Sequence, residues 1–225
     1  MCFALAPDLV LVVNAMLAGR YFLVPAEDKR GGGSALALAV KLDDGRELRY
    51  ADDRRMGKVY VAPADKLDDI PQLAKLGMDI LSPAFTVEAF RKIARKRRDQ
   101  VRQFLMDKSA LASIGNAYAD EILFAAKIHP KTFVRQLAPE DVDRLHGAIV
   151  EVTLAAIDEV KRRAEPIDVK VRDFLNVRGR AGKPCPRCGT TIRDVRVGDG
   201  DACFCPTCQP TERKLFVDWG KLPAK

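Results

Sequence analysis

Cys185-Pro186-Arg187-Cys188 is answered, after sixteen intervening residues, by Cys205-Pro206-Thr207-Cys208. Each pair sets two thiolates at the ends of a tight knuckle. Two such knuckles on facing hairpin turns can close a four-sulfur tetrahedron around one metal ion, for which zinc is the default occupant. Gly189, directly after the first pair, and the strand-like stretches 190–192 and 195–197 suit a zinc ribbon. The competing reading is two disulfides or loose thiols, and the knuckle spacing argues against it. A closed four-sulfur shell has no open position for a substrate. Its expected role is structural: to fold a segment too small to bury a core.

Outside the knuckles, composition sets the bounds. A chain of 225 residues with 48% hydrophobic content holds one large domain or two modest ones around an ordinary core. No apolar run reaches the roughly 18 residues of a membrane span. The apolar start, residues 1–13, lacks a basic leader and is broken by Pro7-Asp8, so neither a span nor a signal peptide is expected and a cytoplasmic location follows. Of six cysteines, four form the knuckles, Cys203 lies beside them and Cys2 stands alone, which is metal-site usage in a reducing compartment rather than a disulfide framework. The formal charge is +7 and the pI near 9.1, which favours a polyanionic partner. Residues 91–98 carry six basic side chains in eight. Such a run by itself fits a solvated helix face better than a binding site; a zinc ribbon in the same chain shifts the balance towards nucleic acid.

Residues 3–62 read as β structure: apolar runs at 9–13 and 35–40, the turn signal Asp43-Asp44-Gly45, then 47–50 and 58–61. Gly31-Gly32-Gly33 is expected to be a mobile loop between strands. Residues 68–83 are irregular and end in Ser82-Pro83, where a domain boundary is expected. Thr86 is a good helix N-cap with Glu88 in the first turn, and Phe90, Ile93 and Ala94 form the apolar side. A second helical piece spans about 98–107, with Val101, Phe104 and Leu105 inward and Arg98 and Arg102 on the other face. Asn116 is expected to cap a helix over 117–127, with Asp120 and Glu121 complementing its dipole. Pro139 opens a further helix whose Val142, Leu145, Ile149, Val152, Ala156 and Val160 form a core stripe. Residues 177–183, Val-Arg-Gly-Arg-Ala-Gly-Lys, are too polar for core and are expected to cross the surface near the ligand, with Arg180 as a candidate contact.

Asn116 is where local structure meets chemistry. A helix N-terminus presents unpaired N–H groups and partial positive charge, so a phosphate can settle there with Gly115 allowing close approach; a simple cap explains the stretch equally well. Arg54-Arg55-Met56-Gly57 lies between two strand signals. Proteins that prise a base from a duplex use a cation and an apolar wedge of this kind, although a hairpin turn with surface arginines accounts for the pattern more simply. His129 and His146 have no nucleophile or carboxylate partner at catalytic spacing and read as structural.

Taken together, Phe104-Leu105-Met106-Asp107, the run Ile114-Gly115-Asn116-Ala117-Tyr118-Ala119-Asp120-Glu121-Ile122-Leu123-Phe124 and Ile128-His129-Pro130 closely resemble the helix–two-turn–helix signature of the formamidopyrimidine-DNA glycosylase and endonuclease VIII family. The two cysteine knuckles resemble its zinc finger, and the likeness runs from about residue 9 to 209. The resemblance implies an α+β chain: a partial N-terminal β-sandwich over 1–83, a helical helix–two-turn–helix domain over 84–165, a linker loop and zinc finger over 166–210, and a tail over 211–225. It implies one structural zinc ion, a monomer, and double-stranded damaged DNA as partner, in the nucleoid. By the same resemblance Asn116 and Arg102, the latter at a lysine position, hold a phosphate. Arg54 enters the gap left by the flipped nucleotide beside Met56, which stands for a phenylalanine, and Leu17 replaces a methionine wedge.

The departures bear on activity. Family members form a Schiff base through an N-terminal proline amine, with a neighbouring glutamate and an early lysine. The present chain opens Met1-Cys2-Phe3, which aligns after that lysine, so no catalytic residue is assigned in it and a fragment or a shortened relative is expected, its first sheet left with an unpaired edge. Gly200 stands where the finger usually carries a DNA-contacting arginine, with Arg193 or Arg196 as substitutes. Three functions stand in order: a glycosylase and AP lyase on oxidised or ring-opened bases, its catalysis dependent on a segment before Met1; a non-catalytic damaged-DNA-binding module, the reading that suits the chain as written; and, weakest, a zinc-ribbon RNA-binding protein.

Overall fold

The N-terminal strands follow from alternation. Leu9, Leu11 and Val13 send every second side chain to one face, and Pro7-Asp8 turns the chain, so β1 (Cys2–Leu5) and β2 (Leu9–Asn14) pair antiparallel with Phe3 opposite Leu11. The structure, a computed structural model, describes residues 1–5, 7–16, 18–71 and 73–211. Two compact units emerge, one of residues 1–74 with 160–172, the other of residues 75–159 with the chain from Asp173.

In the first unit β6 (Lys58–Pro63) adds to β2, giving the order β1-β2-β6. β3 (Arg20–Pro25), β4 (Leu36–Lys41) and β5 (Arg46–Ala51) form a second antiparallel sheet in the order β3-β5-β4. Leu11 and Val13 from one sheet meet Tyr50 from the other in a cluster joined by Phe3, Leu5, Tyr21, Leu38 and Val40, which makes the pair of sheets a partial sandwich. Neither is closed into a barrel. β1 and β6 lie at the edges of their sheet, and β6 exposes Val59 and Val61. The segment leading into the triple glycine is clamped rather than loose. Arg49, buried, donates from Nη1 to the carbonyls of Asp28 and Arg30, from Nη2 to that of Ala26 and from Nε to Glu47.

In the second unit Thr86 caps α1 (Val87–Ala94), its Oγ1 accepting from the Ala89 N–H at 3.2 Å. α2 (Val101–Met106) is shorter than its apolar pattern suggests, because Gln100 is already extended and pairs with Phe133. α3 (Asn116–Ala125) and α4 (Pro139–Arg163) complete the helices. A two-residue parallel pair, β7 (Met78–Asp79) with β8 (Leu111–Ala112), ties the entry segment to the α2–α3 connection. Phe90, Phe104, Leu105, Leu111, Ile122, Leu123, Leu145 and Ile149 are wholly buried in one cluster. At about 1.5–3 kcal/mol for each such side chain, this burial is what holds the helices together. The α4 stripe ends early: Val160, at 43% exposure, lies among the basic residues of the last turn and has left the core.

The finger hairpin, β9 (Arg193–Val197) with β10 (Gly200–Phe204), is one strand later than the pattern at 190–192 implies. Thr191 makes only an isolated bridge to Pro184. Ile192 is instead buried with Phe124, Val177 and three cysteines in a small second core.

Candidate nucleic-acid interface

The four knuckle sulfurs lie within 4.8 Å of one another, with Cys185 to Cys208 at 3.9 Å and Cys188 to Cys205 at 3.5 Å. A tetrahedral zinc with bonds of about 2.3 Å requires sulfurs about 3.8 Å apart. All six cysteines are free, so the disulfide alternative falls. The knuckles carry their own N–H···S support, Arg187 N to Cys185 Sγ and Cys208 N to Cys205 Sγ, both 3.4 Å. Hydrogen bonds with Thr190 bring the Cys188 thiol down to about 6, while burial pushes Cys208 up to about 12. Four thiolates so close repel one another, and only a cation lets all four ionise together. The donor set and spacing fit one structural zinc ion with no open position.

The finger is fastened to the helices by buried polar contacts. Asp120 and Glu121, expected to complement the helix dipole, lie beyond the first turn of α3 and are 0% and 3% exposed. Glu121 accepts from the backbone N–H groups of Asn176, Val177 and Arg178 and from the Asn176 amide, at 2.8–3.1 Å. Asp120 accepts from Arg102 Nε at 2.8 Å, Arg178 Nη1 at 2.9 Å and the Cys203 N–H at 3.1 Å. Gln209, wholly buried, accepts from Cys205 N and donates to the Ile128 carbonyl, both at 2.9 Å. The His129 ring stands edge-on to Phe204 at 4.7 Å and accepts the Lys131 N–H at Nδ1, while burial brings its pKa down to about 4. Arg187 stacks over Phe124 at 4.2 Å. His146 is structural too, its Nε2–H donating to the Phe85 carbonyl at 2.9 Å.

At the start of α3 the N-cap is Gly115, and Asn116 is the first helical residue. The reason is a contact between helices: Asn116 Oδ1 accepts from Arg102 Nη2 of α2 at 2.9 Å and so does not cap its own helix. Asn116 is exposed, and its amide Nδ2 remains a donor at the start of α3, where the first-turn N–H groups have no partner within the helix. The approach is strained, with Ser113 at φ 77°, a conformation costing a non-glycine residue about 1–3 kcal/mol. Arg102 does not share an outer face with Arg98; it is 1% exposed, and Nη2 also donates to the Asp201 carbonyl at 3.0 Å. A Cβ at Gly200 would meet Arg102 Nη1 at 3.6 Å and Asn116 Oδ1 at 3.7 Å. Position 200 thus faces the Asn116 amide. Of the two arginines read as substitutes there, Arg196 is engaged along the hairpin with Gly198 and Asp201, and Arg193 is exposed at the start of β9. Arg180 lies in the turn before the first knuckle, its Nε buried without a hydrogen-bond partner among the described residues.

In the first unit, Arg54 and Met56 are exposed on a turn built by a residue that pattern reading passed over. Asp52, 3% exposed, accepts from Arg54 N at 3.1 Å, Gly57 N at 2.6 Å and Tyr50 Oη at 3.2 Å. These bonds, led by that from Gly57, hold its carboxyl below the usual carboxylate range, and burial followed by the Asp52 charge pushes Tyr50 up to about 12. A Cβ at Gly57 would lie 1.7 Å from Tyr50 Oη, so glycine is required. The signal available in sequence was an Asp-x-x-x-x-Gly turn between strands. Leu17 lies outside the described residues.

Helices grouped around a strained α3 entrance, with a four-cysteine finger locked onto α3, define a zinc-finger protein of the helix–two-turn–helix class. The family model described as the formamidopyrimidine-DNA glycosylase H2TH domain matches residues 76–165, and that of a zinc finger found in FPG and IleRS matches residues 182–211. A formamidopyrimidine-DNA glycosylase of Symbiobacterium thermophilum is 38% identical over 214 residues, covering 92% of this chain and 69% of the relative. Among solved structures, the Lactococcus lactis Fpg in complex with DNA containing an abasic site superposes with a TM-score of 0.81 at 28% identity, covering 93% of this chain and 78% of that one. The complex of the same organism's Fpg with DNA containing FAPY-dG gives 0.79 at 28%, with the same coverage. The chain belongs to the formamidopyrimidine-DNA glycosylase and endonuclease VIII family.

Proposed function

We propose that this chain serves base-excision repair of oxidised or ring-opened bases in duplex DNA, as a glycosylase and AP lyase that grips DNA through its helix–two-turn–helix region and zinc finger. The observation that carries the reading is the Asn116 amide at the mouth of α3, oriented by Arg102 and faced by the finger hairpin. Backbone N–H groups, an amide donor and the cation beneath them make a phosphate cradle. Arg102 then acts as much through Asn116 as by direct contact. Arg180 serves as a further contact, Arg54 and Met56 on the Asp52 turn take the gap left by a flipped nucleotide, and Leu17 is the wedge. Residues 1–83, 84–165 and 166–210, followed by the tail from 211, form the functional divisions, and the protein works as a cytoplasmic, nucleoid-associated monomer. Among the described residues no helix is long and apolar enough to cross a membrane.

A second reading is a damaged-DNA-binding module without chemistry, because the contacts gathered at Asn116, Arg102 and the finger serve binding alone. Borohydride trapping on duplexes carrying an abasic site or 8-oxoguanine, read by intact mass with binding in parallel, separates the readings. A covalent adduct supports the enzyme, binding without adduct supports the module, and absence of both defeats the two together.

A further inference from the structure

Away from the Asn116 cradle, the end of α1, residues 134–137 and the first turn of α4 enclose a groove of about 500 Å³. Its apolar lining is Ala94, Val134, Leu137 and Val142, of which Ala94 and Val134 are buried. Arg91, Arg95 and Arg135 complete the polar part, and no carboxylate lines it. Arg91 is engaged with Asp143 through Nε and Nη2, which leaves Nη1 as a donor. Arg135 is exposed and lies beside the Phe133 ring at 5.5 Å, and exposed Arg95 makes no side-chain hydrogen bond or ion pair among the described residues. Within the basic run Arg97 is also paired, with Asp99 and Asp107.

We propose that this groove docks an acidic, leucine-bearing peptide segment of a partner protein. Aliphatic side chains would seat on Ala94, Val134, Leu137 and Val142, and carboxylates would take the guanidinium donors. Charge complementarity selects an acidic partner. The apolar floor selects a peptide over duplex DNA, whose phosphate ridges carry nothing that would cover it, and over a small inorganic anion for the same reason.

The probe is a fluorescein-labelled acidic decapeptide with leucines four residues apart, titrated by anisotropy against the full zinc-loaded chain. Saturable binding that weakens at least about tenfold in the Arg95→Glu/Arg135→Glu protein, and also when serines replace the peptide leucines, is the expected result. Affinity for an undamaged duplex should change much less than affinity for the peptide. Leu137→Ser, with its thermal midpoint compared with the parent's, tests the floor independently of charge. No saturable binding by the parent protein, equal binding by the double variant, or a loss of duplex affinity as large as the loss of peptide affinity would each overturn the proposal, the last assigning the groove to DNA.

Discussion

Two side chains separated by one helical turn divide the work at the α3 entrance. Asp120 is buried between two arginines, Arg102 and Arg178, and a buried carboxylate so paired is costly to remove because its cationic partners are left uncompensated. Asp120→Ala is expected to lower stability by about 3–5 kcal/mol in urea unfolding of the zinc-loaded protein; a loss below about 1 kcal/mol would show that the arginines find water instead. Asn116, by contrast, is exposed, and its one described side-chain contact is with Arg102. Asn116→Ala should cost about 1 kcal/mol, for the acceptor that Arg102 loses, and weaken DNA binding about tenfold, alike on damaged and undamaged duplexes, because the amide meets a phosphate and not a base. Since the side chain is neutral, the salt dependence of binding should keep its slope; a variant that lost discrimination between lesions would assign Asn116 to base readout.

The finger is an element that cannot fold on apolar burial alone: its core is Phe124, borrowed from α3, with Val177, Ile192 and the cysteines. Chelating the zinc should therefore unfold β9 and β10 while leaving the α1–α4 core, and tight DNA binding should disappear with them. Unchanged affinity after verified metal loss would contradict that role. The seam between finger and helices also carries a proton-linked contact. The folded-state pKa of His129, about 4, lies below the usual 6.5, so the folded protein holds the neutral ring and the unfolded chain takes up the proton first. The stability it contributes is complete above pH 6.5 and is lost as pH falls from there through 4. In an NMR titration of the metal-loaded protein the His129 ring should keep its neutral shift down to about pH 5, whereas a midpoint near 6.5 would mean that the ring is hydrated.

For the molecule as a whole, a net charge of +7 predicts salt-sensitive DNA binding. Neutralising about four phosphates gives a slope of log affinity against log salt near −3.6, and a flat dependence would remove the phosphate-contact reading altogether. The sequence by itself determined the zinc site, the cap at Thr86, the four helices and most strands, because knuckle spacing, capping and apolar period act over a few residues. It also placed Arg54 and Met56 on one turn between strands, yet not the Asp52 carboxylate that shapes that turn. Only the tertiary structure decided that Arg102 turns inward, that Asn116 yields the cap to Gly115, and that Asp120 and Glu121 fasten the finger instead of serving the helix dipole. Asp120 meets its partners 18, 58 and 83 residues away along the chain, and Glu121 meets its own 55 to 57 away. No local pattern encodes such distances. A carboxylate on a helix is solvated unless another element brings enough donors to bury it, and which element does so is settled only when the chain has packed.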